Sequence, residues 1–242
     1  MQAARVRAKV SAVIAGQTAG GDFLVRFWGV RGSIAAPGPA TARYGGNTSS
    51  IEVRCGTRLI LFDGGTGMRY LGNRLIAETP VDADIFVTHT HFDHVCGLPF
   101  FKPFFQAQNC FRLWAGHLGA GMTLQRVLRE FMAAPLFPVP PEVFKAKMEY
   151  RDFKGGDTLA PAPGIVVRTA ALNHPDGATG YRIEYGGKSL CYITDTEHVP
   201  GNPDRSVLAL IAGADLVIYD SMYTDEEYAK SYVGWGNSTW QE

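Results

Sequence analysis

The stretch Thr88-His89-Thr90-His91-Phe92-Asp93-His94-Val95-Cys96-Gly97 decides how this chain reads. It packs four metal-ligating side chains, His89, His91, Asp93 and His94, into a few residues. The run leading into it, Asp84 to Thr88 (DIFVT), is short, β-branched and aromatic, as a buried strand is, so the cluster stands at a strand's end. On an extended segment residues two apart share a face. His89, His91 and Asp93 can therefore converge, while a turn at Asp93 swings His94 to the other side. Ligands at this spacing suit two adjacent cations rather than one. The chain holds 6 histidines in all, and a strand end whose imidazoles only bonded backbone would not concentrate half of them here.

Two more donors follow strands further along. His174 lies in LNHPDG after the strand Ile165 to Ala170, where Pro175 stiffens the turn. Asp195 lies in CYITDTEH at the end of the strand Leu190 to Thr194. A carboxylate can bridge two cations while imidazoles fill the outer positions. Asp63-Gly64-Gly65-Thr66-Gly67 lacks the lysine of a phosphate-binding loop and reads as a tight turn that lets Asp63 buttress the histidines. Arg31 reads as a surface hydrogen-bonder rather than a phosphate contact, Cys96 as core, and His117 and His198 as solvated loop residues. Tyr228, Tyr232, Trp235 and Trp240 suit either base stacking or packing.

Working outward, strands are expected at Phe23 to Trp28, Ser50 to Arg54, Arg58 to Phe62, Phe111 to Ala115, Gly180 to Tyr185, Ser189 to Thr194 and Leu216 to Tyr219. Helical spacing marks Met68 to Ile76, Thr123 to Met132 and Arg205 to Ala212. The prolines of GLPFFKPFFQAQ imply a kinked short helix or ordered loop, and Pro135 to Pro141 a crossing loop. Strands with interspersed helices predict α+β or α/β layering with two sheets. The 242 residues suit one compact body at 23–242, with 1–22 a loose leader. Its apolar core is short for a signal peptide. With 23 basic and 23 acidic residues, no global field draws the chain to long nucleic acid or an anionic membrane. No apolar run is long enough to span a bilayer. Four scattered cysteines without a C-x-x-C pair exclude a thiolate zinc site and suggest a reducing, cytoplasmic compartment.

His89-x-His91-x-Asp93-His94, then His174, then Asp195, in that order and each after a strand, resembles the metallo-β-lactamase superfamily over about residues 23–242. The resemblance implies a four-layer αβ/βα sandwich with two divalent metals, Zn first and Mn or Fe as alternatives, at the edge where both sheets end. His89, His91 and His174 would bind the first metal, Asp93 and His94 the second, and Asp195 both. Zinc β-lactamases carry cysteine where Asp195 stands, and oxygen-reducing diiron members carry glutamate where His91 stands, so neither activity is expected. FWGVRGS (27–33), YGGNTSS (44–50), LFDGGTG (61–67) and GLPFF (97–101) are similar to the branch of ribonuclease Z and the small phosphodiesterases. That branch implies phosphodiester hydrolysis by a metal-activated hydroxide, which Asp93 would help orient.

Two departures qualify the expectation. The branch has a proton-donating histidine in a G-H-S-T stretch, and here Gly236-Asn237-Ser238-Thr239 puts Asn237 at that catalytic position, able to donate a hydrogen bond but no proton. The resemblance also implies one more histidine for the second metal, beyond Glu242. Ser238 with Gln241, and Thr239 with Glu242, have capping-box spacing that announces a helix start. The expectation is therefore a shortened form of a longer enzyme, fuller at its first metal position, with Trp235 and Trp240 accessible and a tendency to self-associate. The substrate expected is a small phosphodiester or nucleotide. A thioester or lactone hydrolase on the same metals, and a metal-binding protein with impaired catalysis, are the rival readings.

Overall fold

Alternation along the strands sorts their side chains onto two faces, and that sorting builds the layers. The computed structural model describes residues 21–241, so the leader reading falls outside the described residues up to residue 20. A first sheet runs in the order β1 to β6: β1 Phe23–Gly29, β2 Ser50–Cys55, β3 Arg58–Phe62, β4 Asp82–Val87, β5 Cys110–Ala115 and β6 Lys147–Asp152. Its first three strands are antiparallel neighbours and the rest pair in parallel. The second sheet, in the order β11-β10-β9-β8-β7, holds β7 Thr158–Ala162, β8 Ile165–Leu172, β9 Ala178–Tyr185, β10 Lys188–Ile193 and β11 Leu216–Tyr219. Only β10 and β11 are parallel there.

On β3 and β4, Leu59, Leu61, Ala83, Ile85 and Val87 face outward against α1 (Gly67–Leu75), the Phe101 and Phe104 turns and α3 (Leu124–Phe131). The alternate residues Ile60, Phe62 and Phe86 face inward and meet Val167, Tyr181, Ile183, Leu190 and Tyr192 of the second sheet. The outer face of that sheet is covered by Val207 and Leu210 of α4 (Arg205–Ile211). Helix, sheet, sheet, helix is the expected four-layer αβ/βα sandwich, and burial on both faces is why the central strands read as continuous apolar runs. Among the described residues no helix is long and apolar enough to cross a membrane.

Several local expectations are corrected. β4 ends at Val87, and a one-turn helix, α2 (Phe92–Val95), follows, so the donors converge through a helical turn rather than by extended alternation. Among the described residues no helix starts at Ser238, whose hydroxyl donates to the Thr196 carbonyl. The capping box belongs instead to Thr224 and Glu227, at the start of α5 (Asp225–Glu227). His198 stacks on Tyr219 with ring centroids 5.8 Å apart, and half-buried His117 points Nε2 at the Thr90 hydroxyl, 3.2 Å away, so neither is simply solvated. Trp235 and Trp240 are exposed, at 61% and 66%. Tyr232 packs flat on Tyr223 at 4.3 Å.

Candidate metal centre

Both sheets end at one edge, and the donors stand on the loops there. His89 and His91 follow β4, Asp93 and His94 lie on α2, His174 follows β8 and Asp195 follows β10. Those on the first sheet's side are thus brought against those of the second. His91 Nδ1 lies 3.0 Å from His174 Nε2. His89 Nε2 lies 3.6 Å from one Asp195 oxygen, and His94 Nε2 lies 3.4 Å from the other and 3.4 Å from Asp93 Oδ2. Two donor groups result, each with its atoms within 4.8 Å of one another: His89, His91 and His174, and His89, His94 and Asp195. Asp195 also lies 3.9 Å from His174 Nε2 and so stands between the groups. The structure thus brings together all six residues singled out as candidate ligands.

Hydrogen bonds around the rim fix which nitrogen faces inward. Asp63 accepts from the Thr88 backbone N–H at 2.8 Å, from the Tyr192 hydroxyl at 2.9 Å and from His94 Nδ1 at 2.9 Å. The Thr88 hydroxyl donates to Asp63 and sits 3.1 Å from His89 Nδ1, which can therefore only donate to it. His174 Nδ1 donates to the Gly236 carbonyl at 2.7 Å. In His89 and His174 the proton on Nδ1 leaves Nε2 as the inward lone pair, and His94, anchored through Nδ1, turns Nε2 toward Asp93 and Asp195. His91 is turned the other way, with Nε2 3.8 Å from the exposed Asp176 carboxylate. The Ser33 backbone N–H, held at a left-handed φ of 61°, donates to Asp93 at 2.7 Å, and the Thr194 hydroxyl donates to Asp195 at 2.6 Å.

The Nε2 atoms of His89 and His94 are shielded from solvent and have no hydrogen-bond partner. A buried nitrogen in that state is costly, and two of them facing the same carboxylate fit divalent cations held by nitrogen and carboxylate oxygen. Burial opposes charge on His94, yet Asp63, Asp195 and Asp93 hold its pKa well above the usual value. Burial, with His94 beside it, depresses His89. Against the effect of burial, His94, His89 and Thr194 hold the Asp195 carboxyl well below the ordinary range.

A cavity of about 540 Å³ opens beside Asp195, bordered by Ser33, Ile34, Met222, Asp220 and Asn237. Asn237 lies there as its sequence position implied, but its Nδ2 is given to Asp220 Oδ2 at 3.1 Å. Sequence reasoning passed over Asp220, although it follows β11 as Asp195 follows β10, and the strand-end rule that found one would find the other. Burial, reinforced by Asp195, pushes its carboxyl up to about 6, against the N–H bonds from Ser238, Asn237 and Thr196. Arg31 donates to the Gly45 carbonyl at 2.9 Å and is a loop fastener, and Cys96 is buried.

A two-sheet sandwich with such a centre defines a class, and comparison with known proteins agrees. The family model described as "Beta-lactamase superfamily domain" matches residues 58–242, and the chain belongs to that family. It is 28% identical over 162 residues to a ribonuclease Z from Haloarcula marismortui, covering 66% of this chain and 47% of that protein, so the chain spans about half the length of that curated relative. Zn(2+)-bound PqqB from Methylobacterium extorquens shares the fold with a TM-score of 0.63 at 20% identity, over 89% of this chain and 80% of that one. Human tRNase Z, short form, does so with a TM-score of 0.63 at 20% identity, over 90% and 85%.

Proposed function

We propose that this chain is a metal-dependent hydrolase of small phosphodiesters or nucleotides. The observation that carries the reading is the pair of shielded, unpartnered imidazole nitrogens, His89 Nε2 and His94 Nε2, facing Asp195. His89, His91 and His174 would hold one divalent cation and Asp93 and His94 the other, with Asp195 shared. Zinc is the first choice for this donor set, with Mn or Fe also accepted. When bound, such cations supply a water of lowered pKa and neutralise charge on a phosphoryl group. The phosphodiester preference is supported by the ribonuclease Z relative, and the small substrate by the balanced charge. The free cysteines fit a reducing, cytoplasmic setting.

The chain's own residues then divide the work. Asp63 and Thr88 hold the His94 and His89 rings so that Nε2 faces inward, while the Ser33 N–H and the Thr194 hydroxyl aim Asp93 and Asp195. The leaving oxygen needs a proton that Asn237 cannot give. Asp220, on the cavity wall with a carboxyl pushed up to about 6, can carry it, and Asn237 steadies that carboxyl. The test is elemental analysis of the purified protein, then rates on bis(p-nitrophenyl) phosphate, a cyclic nucleotide, a thioester and a lactone, with His89→Ala and Asp195→Ala as controls. Phosphodiester turnover at least tenfold faster than the others, abolished in both variants, is expected. Faster thioester or lactone cleavage overturns the substrate class, and metal-loaded protein inert to all four overturns the enzyme.

A further inference from the structure

Glu197 touches none of the candidate ligands, yet it ties together the two loops that decide how His174 is aimed. Its backbone N–H donates to the Asn173 carbonyl at 2.8 Å, and the Asn173 side-chain amide donates back to the Glu197 carbonyl at 2.8 Å. This fixes the residue just before His174. Its carboxylate reaches the other way: Oε2 accepts the Gly236 N–H at 2.8 Å, and Oε1 accepts the Gly234 N–H at 2.6 Å and the Tyr228 hydroxyl. Gly236 in turn offers its carbonyl to His174 Nδ1 at 2.7 Å.

The strap fits only one residue at its contact point. Gly236 has a φ of +83°, and a Cβ built there would overlap His174 Nδ1 and the Pro175 ring. A carbonyl oxygen can only accept, so His174 Nδ1 must carry the proton and Nε2 is left as a lone pair, 3.0 Å from His91 Nδ1. Were the 234–236 loop free to move, the ring could flip or take the other tautomer, and the lone pair would turn away from the centre.

We infer that Glu197 is a positioning residue for His174, acting through the Gly236 carbonyl to fix the tautomer that presents Nε2. This rests on reading His174 as a ligand, and the test separates the two ideas. Glu197→Gln is nearly isosteric but turns an N–H₂ toward backbone N–H donors, and Glu197→Ala removes the strap. In the metal-free protein, long-range ¹H–¹⁵N correlation of the His174 ring reads the tautomer directly, without reference to activity. Wild type is expected to show a single Nδ1–H form, and both variants a mixture. Zinc titration by calorimetry is expected to weaken about 10- to 100-fold in the variants, the usual cost of losing a partner behind a ligand. His174→Ala is the reference. A wild-type tautomer and affinity within twofold in both variants overturns the positioning role. A tautomer mixture in the variants, with zinc affinity unchanged even in His174→Ala, upholds the strap and overturns the ligand reading.

Discussion

Asp220 carries a conflict that a single substitution can expose. Its carboxyl sits 9% exposed beneath Ser238 and Asn237, and its pKa is raised from 3.8 to about 6. The sign follows from linkage: a carboxyl whose folded pKa is raised costs nothing below about pH 4, where it is neutral in both states. Stability is then lost as pH rises toward 6, by up to about 3 kcal/mol at 1.36 kcal/mol per pKa unit. Asp220→Asn should therefore raise the melting temperature of the metal-free protein at pH 8 and leave it nearly unchanged at pH 4. If Asp220 gives the proton to the leaving oxygen, the same variant should lower kcat by about 10² to 10⁴ and flatten the fall in rate as pH rises through 6. A stabilised variant with undiminished kcat would leave Asp220 as a strained wall residue only. His117, pushed down to about 4 by burial and then by His91 and His174, is neutral as pH rises through 6 and does not confuse the rate profile.

At the scale of elements, the central strands were legible because burial on both faces writes an apolar run into the sequence, and β3 matches it residue for residue. The two unforeseen strands are edges. β6 (KMEYRD) is charged and half exposed, and β7 (TLAPA) carries Pro161 at a break in its register. Edges shed the apolar pattern that sequence reading relies on. The metal motif was legible as residue types but not as geometry, because α2 is four residues long and too short to show a period. What holds it is backbone meeting backbone. Gly64 N–H donates to the His94 carbonyl and Gly97 N–H to the Gly64 carbonyl, each at 2.7 Å, and a Cβ on Gly97 would overlap the Gly65 carbonyl. Gly97→Ala should thus push α2 off the Asp63 turn and cost about 1 to 3 kcal/mol or more, as overpacking does, measured as a lower midpoint in urea at unchanged m. Stability within 0.5 kcal/mol would show that the turn can yield (~0.5 kcal/mol being the usual effect of a surface change).

Across the whole molecule the donors straddle the two sheets. His89, His91, Asp93 and His94 belong to the first sheet's edge, and His174 and Asp195 to the second's. The protein already links the sheets at this edge through the Tyr192 hydroxyl on Asp63 and the Tyr181 hydroxyl on the Val87 carbonyl, at 2.9 and 2.7 Å. The bond to the Asp63 carboxylate contributes about 1.5 to 3 kcal/mol and the neutral one to Val87 about 0.5 to 1.5 kcal/mol. They hold the edge in shape without giving the two unpartnered imidazole nitrogens a partner. A cation bound there would add a further link and give those nitrogens a partner, and because its donors lie far apart in sequence it would bind the folded chain alone. Free metal at 100 times its dissociation constant then stabilises the fold by about 2.7 kcal/mol, and each kcal/mol moves the midpoint of a domain this size by about 2 to 4 °C. Calorimetric scans should accordingly show the zinc-loaded protein melting about 5 to 10 °C above the chelator-treated one. His174→Ala and Asp195→Ala, each removing a donor from the second sheet's side, should erase most of that difference. An equal gain from zinc in wild type and both variants would place the bound metal away from this edge and sever the link between the sandwich and its site.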